Sequence, residues 1–203
     1  MFASRHAVTK ADIETHATRQ GQTVVHVAIS GSRGLVGSVL IPFLTTGGHR
    51  VTRLVRGAPA NLDEAAWNPS RGLAEPSRFD GVDAVVHLAG ENIAAGRWTP
   101  ARKAEIRQSR VEGTRNLCES VARLAHPPKL FVSASAIGFY GDRGAQTLTE
   151  DSGAGSGFLP DLCREWEAAT DPASQAGIRV VHLRFGMVLS PAGGALQKML
   201  LPF

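Results

Sequence analysis

The stretch SGSRGLVG, residues 30–37, constrains the fold of this chain more than any other. It sets three glycines at a G-x-x-G-x-x-G spacing between the apolar run VVHVAIS (24–30) and the segment GLVGSVLIPFLTTGG (34–48). The first run has the length and β-branching of a buried strand. The second reads as a helix stopped by Gly47 and Gly48, with Pro42 an awkward guest inside it. A strand that turns through glycines into a helix makes an anion cradle. Gly31 permits the tight turn, Gly34 lets the backbone approach a diphosphate, and Gly37 lets helix and strand close together. The helix N-terminus adds free N–H groups and the positive end of its dipole. We expect a dinucleotide at this loop, with Ser32, Arg33, Leu35 and Val36 as its other members.

The alternation continues downstream. HRVTRLVR (49–56) is a second strand, and residues 57–81 are rich in Pro, Gly and Asp, with at most one short strand near Ala65–Trp67. VDAVVHLAG (82–90) is a strong strand. TPARKAEIRQSRVEGTRNLCESVARLA (99–125) is the longest helical stretch, with Thr99 as N-cap and Pro100 at the first helical position. KLFVSASAIGFYG (129–141) is a strand running into a loop, PDLCREWEAATDPA (160–173) begins another helix, and IRVVHLRFG (178–186) is the last strand. Strands apolar on both faces, alternating with helices, predict a parallel sheet covered by helices. Right-handed crossovers make it an α/β, doubly wound sheet in the order 3-2-1-4-5-6. Its strands are expected near 24–30, 50–55, 82–88, 129–135 and 178–184. Residues 1–22, polar with a weak helical pattern after Thr9, are expected to be an arm or linker ahead of a domain at 23–203.

Composition narrows the function classes. A chain of 203 residues, 43% hydrophobic and 20% charged, is ordinary for a soluble globular domain. Its net charge of +4 comes with scattered arginines, so no nucleic-acid footprint is expected. No apolar run approaches the ~18 residues of a membrane span, and the N-terminus lacks a secretory h-region. Cys118 and Cys163 are too few and too far apart for a metal site, and read as reduced thiols of a cytoplasmic protein. The seven histidines show no ligand spacing; His26, His87 and His182 lie in apolar runs and read as core or strand-end residues.

The second strand selects the nucleotide. It ends Arg53-Leu54-Val55-Arg56, with no acid before Asp63 to hold a free ribose 2′-hydroxyl. Guanidinium groups at Arg53 and Arg56, with Arg33 in the loop, suit a 2′-phosphate instead. NADP is the expected cofactor.

SGSRGLVG, LVRG, VDAVVHLAGENIAAGRW, SRVEGTRNL, SASAIGFYGDRG, LCREWEAA and LRFGMVLSPAGGALQKMLLPF, taken in order, resemble the extended short-chain dehydrogenase/reductase superfamily. More closely they resemble its atypical branch of epimerase family proteins, or nucleoside-diphosphate-sugar epimerases, over residues 24–203. The resemblance implies a Rossmann fold binding NADP(H), with Leu88, Ala89, Gly90 and Glu91 along the cofactor and Ala89 and Gly90 on its adenosine side. It also implies a small-molecule substrate such as a nucleotide sugar; a homodimer is one option for the oligomeric state, which the sequence does not name. The arm FASRHAVTKADIETH resembles a connector that in some relatives follows a lipid- or polyketide-binding-type domain. Relatives continue past a motif like KMLLPF, so this chain is expected to be a piece that lacks a C-terminal substrate lobe.

The superfamily places Ser, Tyr and Lys around the nicotinamide. Ser135 matches the serine, with Ser133 as a fallback. Counting back from Glu167 puts Leu159 at the tyrosine position and Cys163 at the lysine position, and neither can do proton-transfer work at neutral pH. Tyr140, the one tyrosine of the chain, follows Ser135 by five residues where α/β sheets place ligands. It serves as a proton donor or lines a substrate cleft. Glu91, Asn92 and Arg97 could face the site or merely fix their loop. Arg110 stands where extended relatives often carry Asn, with its role open, and Arg184 could be a structural ion-pair partner. Two readings remain. One is an NADP-dependent epimerase or oxidoreductase. The other is a non-catalytic NADP(H)-binding sensor or assembly factor that has lost the Tyr/Lys pair.

Overall fold

A computed structural model describes residues 2–18, 23–190 and 193–200. Residues 19–22 of the predicted arm and the last three residues lie outside the described ones. The chain opens with helix α1 (Phe2–Ala17), which starts before the predicted Thr9 and sets His16 against Phe43 at 4.6 Å between rings. Strand β1 (His26–Ser30) follows and is buried throughout. Helix α2 (Gly37–Thr46) begins at the last loop glycine, not at Gly34. Gly34 is instead held in a turn by its N–H bond to the Gly31 carbonyl at 2.9 Å. Pro42 stays inside α2 at an exposed position, away from the core contacts that Ile41 makes.

After β2 (Arg50–Val55) the predicted short strand is larger: β3 (Glu64–Asn68) turns back into β4 (Gly72–Leu73) as an antiparallel pair. A 3-10 turn at Pro76–Phe79 leads to β5 (Ala84–His87). Helix α3 (Pro100–Ala122) starts as expected, with the Thr99 hydroxyl accepting the Arg102 N–H at 3.2 Å. Strand β6 (Leu130–Ala136) ends in a 3-10 turn at Ile137–Tyr140. The single helix predicted from residue 160 is two, α4 (Phe158–Ala168) and α5 (Asp171–Gln175). Thr170 separates them, its hydroxyl donating to the Glu167 carbonyl at 2.7 Å and meeting His182 Nε2 at 2.9 Å. Strand β7 (Arg179–Phe185), the short β8 (Leu189–Ser190) and α6 (Gly194–Leu200) complete the described chain.

The seven-stranded sheet runs β4-β3-β2-β1-β5-β6-β7 and is parallel except for β4. Without that edge strand, the order is the doubly wound one expected from the sequence. Strand alternation sends Val27 and Ile29 to one face, where they pack with Ile41 of α2. Ala28, Leu54, Val85 and Phe131 point to the other, beneath Leu117 and Val121 of α3 and Ala173 of α5. Both faces are thus covered, and the carboxyl ends of β1, β2 and β5 open together at one edge.

Candidate functional site

At that edge lies a cavity of about 400 Å³ lined by Gly31, Ser32, Arg33 and Gly34 of the loop, Leu54 to Gly57 after β2, and Leu88 to Glu91 after β5. Gly31 has φ of 67°, and a Cβ there would come within 2.7 Å of the Leu88 carbonyl carbon. Only glycine therefore lets the loop lie this close to the β5 end. Gly37 acts differently from expectation. A Cβ on it would strike the Gly31 carbonyl oxygen at 2.5 Å, so it closes α2 onto the loop rather than onto the strand.

Ser30, buried at the end of β1, ties the cavity floor together. Its oxygen accepts the N–H groups of Leu88 and Ala89 at 3.2 and 3.3 Å, while its hydroxyl contacts His87 Nδ1 at 2.6 Å. The Glu91 backbone N–H donates to Ser109 Oγ at 3.1 Å, and the Glu91 carboxylate lies 3.5 Å from Arg102. The other wall comes from Trp67 and Pro69 of the β3–β4 hairpin, together with Ser109. The hairpin is clamped to α3: Asn116 Nδ2 donates to the Pro69 carbonyl at 2.8 Å, and Ser120 Oγ accepts the Leu73 N–H at 3.2 Å. Sequence reasoning missed this wall. The only signal for it was the short strand ending in an apolar Trp67.

Of the predicted cofactor residues, Arg33 and Arg56 face the cavity, and Arg53 does not. Arg53 lies on the α2 face of the sheet, in an adjoining hollow with Arg33, Ser38 and Glu64. Leu35 turns away from the cavity toward Gly193 and Gly194. Val36 caps α2. The cavity fits a dinucleotide: a glycine turn without side-chain bulk, a helix N-terminus, two guanidinium groups and about 400 Å³ of space.

The residues predicted for chemistry gather beyond the cavity, at the ends of β6 and β7. Ser135 is buried and its hydroxyl donates to the Glu167 carboxylate at 2.6 Å. Glu167, on α4, also accepts two bonds from Arg184 of β7, each at 2.8 Å. Burial pushes the Glu167 carboxyl up, but the hydrogen bonds from Arg184 and Ser135 outweigh it and hold the group below its ordinary range. Its bonds to Glu167 raise the Arg184 guanidinium further, so the pair is ionised. Arg184 stacks on Phe139 at 3.5 Å and donates to the Tyr140 hydroxyl oxygen at 2.9 Å. Arg184 is the ion-pair partner foreseen. Ser135 and Tyr140 are thereby joined through one network, Ser135–Glu167–Arg184–Tyr140, that sequence separation had hidden.

Leu159 and Cys163 of α4 pack against Gly138 in the turn before Tyr140. Burial pushes the Cys163 thiol up, and that of Cys118 up to about 12, so both are free, buried and neutral. Asn92 and Arg97 sit in an exposed loop, with the Asn92 carbonyl accepting from Arg102 at 2.5 Å. Ser133 is buried, and its hydroxyl donates to the neighbouring Ala134 carbonyl at 3.2 Å. No described group of three or more His, Cys, Asp or Glu side chains could hold a metal ion. No described helix is long and apolar enough to cross a membrane.

The sequence model of the NAD dependent epimerase/dehydratase family matches residues 27–199. An epimerase family protein of Mycobacterium bovis is 48% identical over 173 residues, which cover 85% of this chain and 57% of the relative. The chain thus spans a little over half the length of this and two other curated mycobacterial relatives. Among solved structures, the nucleoside-diphosphate sugar epimerase of Corynebacterium glutamicum superposes with a TM-score of 0.84 at 42% identity, over 98% of this chain and 42% of that one. The human epimerase family protein SDR39U1, solved with NADPH, superposes at 0.74 with 32% identity, over 88% of this chain and 59% of that one.

Proposed function

Because the chain belongs to the NAD dependent epimerase/dehydratase family and has its NAD(P)-binding α/β fold, we propose that it binds NADP(H) in the Gly31 cavity and serves an epimerase or oxidoreductase reaction on a nucleotide sugar or a similar small molecule. The observation that carries the cofactor is that Arg33 and Arg56 both line this cavity, with no carboxylate at the end of β2. A 2′-phosphate supplies the anion those guanidinium groups lack, whereas a free 2′-hydroxyl leaves both without a partner. The human relative solved with NADPH and the bacterial sugar epimerase support the two halves of this reading.

Bound nicotinamide would supply the hydride acceptor and donor. The chain's own residues hold the dinucleotide by loop N–H groups and the two arginines, and keep a hydroxyl network at the reacting end. Within it, Ser135 and Tyr140 are the groups able to hold or move a proton at a substrate oxygen. The Ser135–Glu167 and Arg184–Tyr140 bonds also favour a second reading, in which these hydroxyls are structural and the protein binds cofactor without turnover.

Titration of wild type and of an Arg33→Ala/Arg56→Ala variant with NADPH and NADH tests the cofactor. Each lost charge-assisted bond is worth roughly 1.5–3 kcal/mol, so NADPH affinity should fall at least ~100-fold and NADH affinity little. Preference for NADH in the wild type overturns the assignment. Ser135→Ala and Tyr140→Phe then separate the readings: loss confined to kcat marks a proton-transfer group, a raised KM alone marks a wall, and wild-type turnover in both moves the chemistry elsewhere.

A further inference from the structure

Four described arginines are half-buried: Arg78, Arg102, Arg110 and Arg184. Three of them hold a carboxylate within 2.8 Å: Glu75, Glu105 and Glu167 respectively. Arg110 holds none. Its only hydrogen bond among the described residues runs from Nη1 to the Ile106 carbonyl, one turn back on α3, at a long 3.4 Å. Its other guanidinium N–H groups have no hydrogen-bond partner among the described residues and are not sealed from solvent. Burial lowers this guanidinium's hold on the proton from the ordinary arginine value, outweighing the attraction of Glu91, which acts only through space and is opposed by Arg102.

The group is nonetheless held in a defined place. One side of it lies over the Trp166 ring, 5.1 Å from the centroid, and Trp166 is itself anchored by its Nε1–H bond to Thr114 at 2.9 Å. On another side is Gly90, in the cavity lining, where an added Cβ would stand 3.4 Å from Arg110 Cζ. Arg110 therefore stands between the end of the glycine-loop cavity and the helix that carries Glu167. A stacked, pre-oriented guanidinium with unspent donors at a cavity edge is the arrangement that binds a phosphate or carboxylate.

We propose that Arg110 is an anion-binding residue at the inner end of the Gly31 cavity, receiving an oxyanion either from the dinucleotide's diphosphate or from an acidic substrate. The inference rests on the cavity's reading as a dinucleotide site only for the first of these sources. Inorganic pyrophosphate is the probe, titrated into wild type, Arg110→Gln and Arg110→Lys by calorimetry and followed by thermal unfolding. The Gln variant should bind it roughly tenfold more weakly and the Lys variant should recover part of the loss. Unliganded unfolding temperatures should stay close to the wild type, because the folded-state contacts removed are only the Trp166 stacking and the long Ile106 bond, with no ion pair among them. Repeating the titration with NADPH at saturation assigns the source: a difference between wild type and Gln variant that disappears belongs to the dinucleotide, and one that persists belongs to the substrate. Wild type that ignores NADPH but binds pyrophosphate through Arg110 would retire the cofactor reading and leave this one standing. Equal pyrophosphate affinity in wild type and Gln variant, or a drop in unliganded stability that accounts for the loss, overturns it.

Discussion

Acid should weaken this fold through His87, by an amount its surroundings set. The ring is fully buried, and the Ser30 oxygen beside it already accepts two backbone N–H groups. Assigned from that network, the Ser30 proton goes to His87 Nδ1 and the ring's own proton sits on Nε2. Nε2 has no hydrogen-bond partner among the described residues, and the ring meets Trp67 edge-on, 5.5 Å between centroids. A second ring proton would displace the Ser30 donor and bury a charge, and burial accordingly lowers the pKa from 6.5 to about 4. The folded value lies below the unfolded one. The unfolded chain therefore takes up a proton near pH 6.5 that the folded chain refuses until about pH 4. Stability from His87 is complete above that window and declines as pH falls through it. At about 1.4 kcal/mol per tenfold change in proton affinity, going from pH 7.5 to pH 5 removes ~2 kcal/mol. Urea unfolding at both pH values, for wild type and His87→Gln, measures it. The variant should be about 1–3 kcal/mol less stable at pH 7.5, its buried hydrogen bond being imperfect. Its further loss at pH 5 should be smaller than the wild type's by ~2 kcal/mol. The lowered values of His26 and His182 are common to both proteins and cancel. Equal losses in the two proteins would refute the argument.

Gly37→Ala should prise α2 from the loop, because the new methyl meets backbone oxygen and not a movable side chain. An overpacking cost of about 1–3 kcal/mol is expected, with NADPH affinity reduced at least tenfold; calorimetry showing wild-type affinity would contradict it. Glu167→Gln should destabilise by about 2–4 kcal/mol, since Arg184 is left half-buried with no carboxylate. A urea midpoint within experimental error of wild type would mean that the Ser135–Glu167–Arg184 network carries no structural weight.

What the sequence revealed depended on how local the signal was. The β1–loop–α2 unit was legible because strand, glycines and helix are contiguous, and Arg33 and Arg56 because strand and loop ends fix their direction. Arg53 parts from them: alternation along β2 carries it to the α2 face, one residue from Leu54 in the core, into the hollow it shares with Arg33. The break between α4 and α5 needed the Thr170–His182 contact, made across twelve residues. The β3–β4 hairpin has almost no strand of its own in β4. It exists through Gly72 at φ of 82° and the clamp on α3, neither of which periodicity records. Ser135 and Glu167 were each noticed, but their bond spans 32 residues and belongs to the fold.

The hairpin clamp has a kinetic and thermodynamic corollary. Its two hydrogen bonds each close 47 residues of chain, so the wall bearing Trp67 forms only when α3 docks, later than the local glycine turn. A collapsed intermediate with the turn alone has half a pocket. A ligand that touches both the turn and the wall is thus selective for the fully assembled domain and lends it RT ln(1 + [L]/Kd), ~2.7 kcal/mol at a hundredfold excess over Kd. Hydrogen exchange should register that gain in the amides of α3 around Asn116 and Ser120, on a helix whose link to the glycine loop runs through the clamped hairpin.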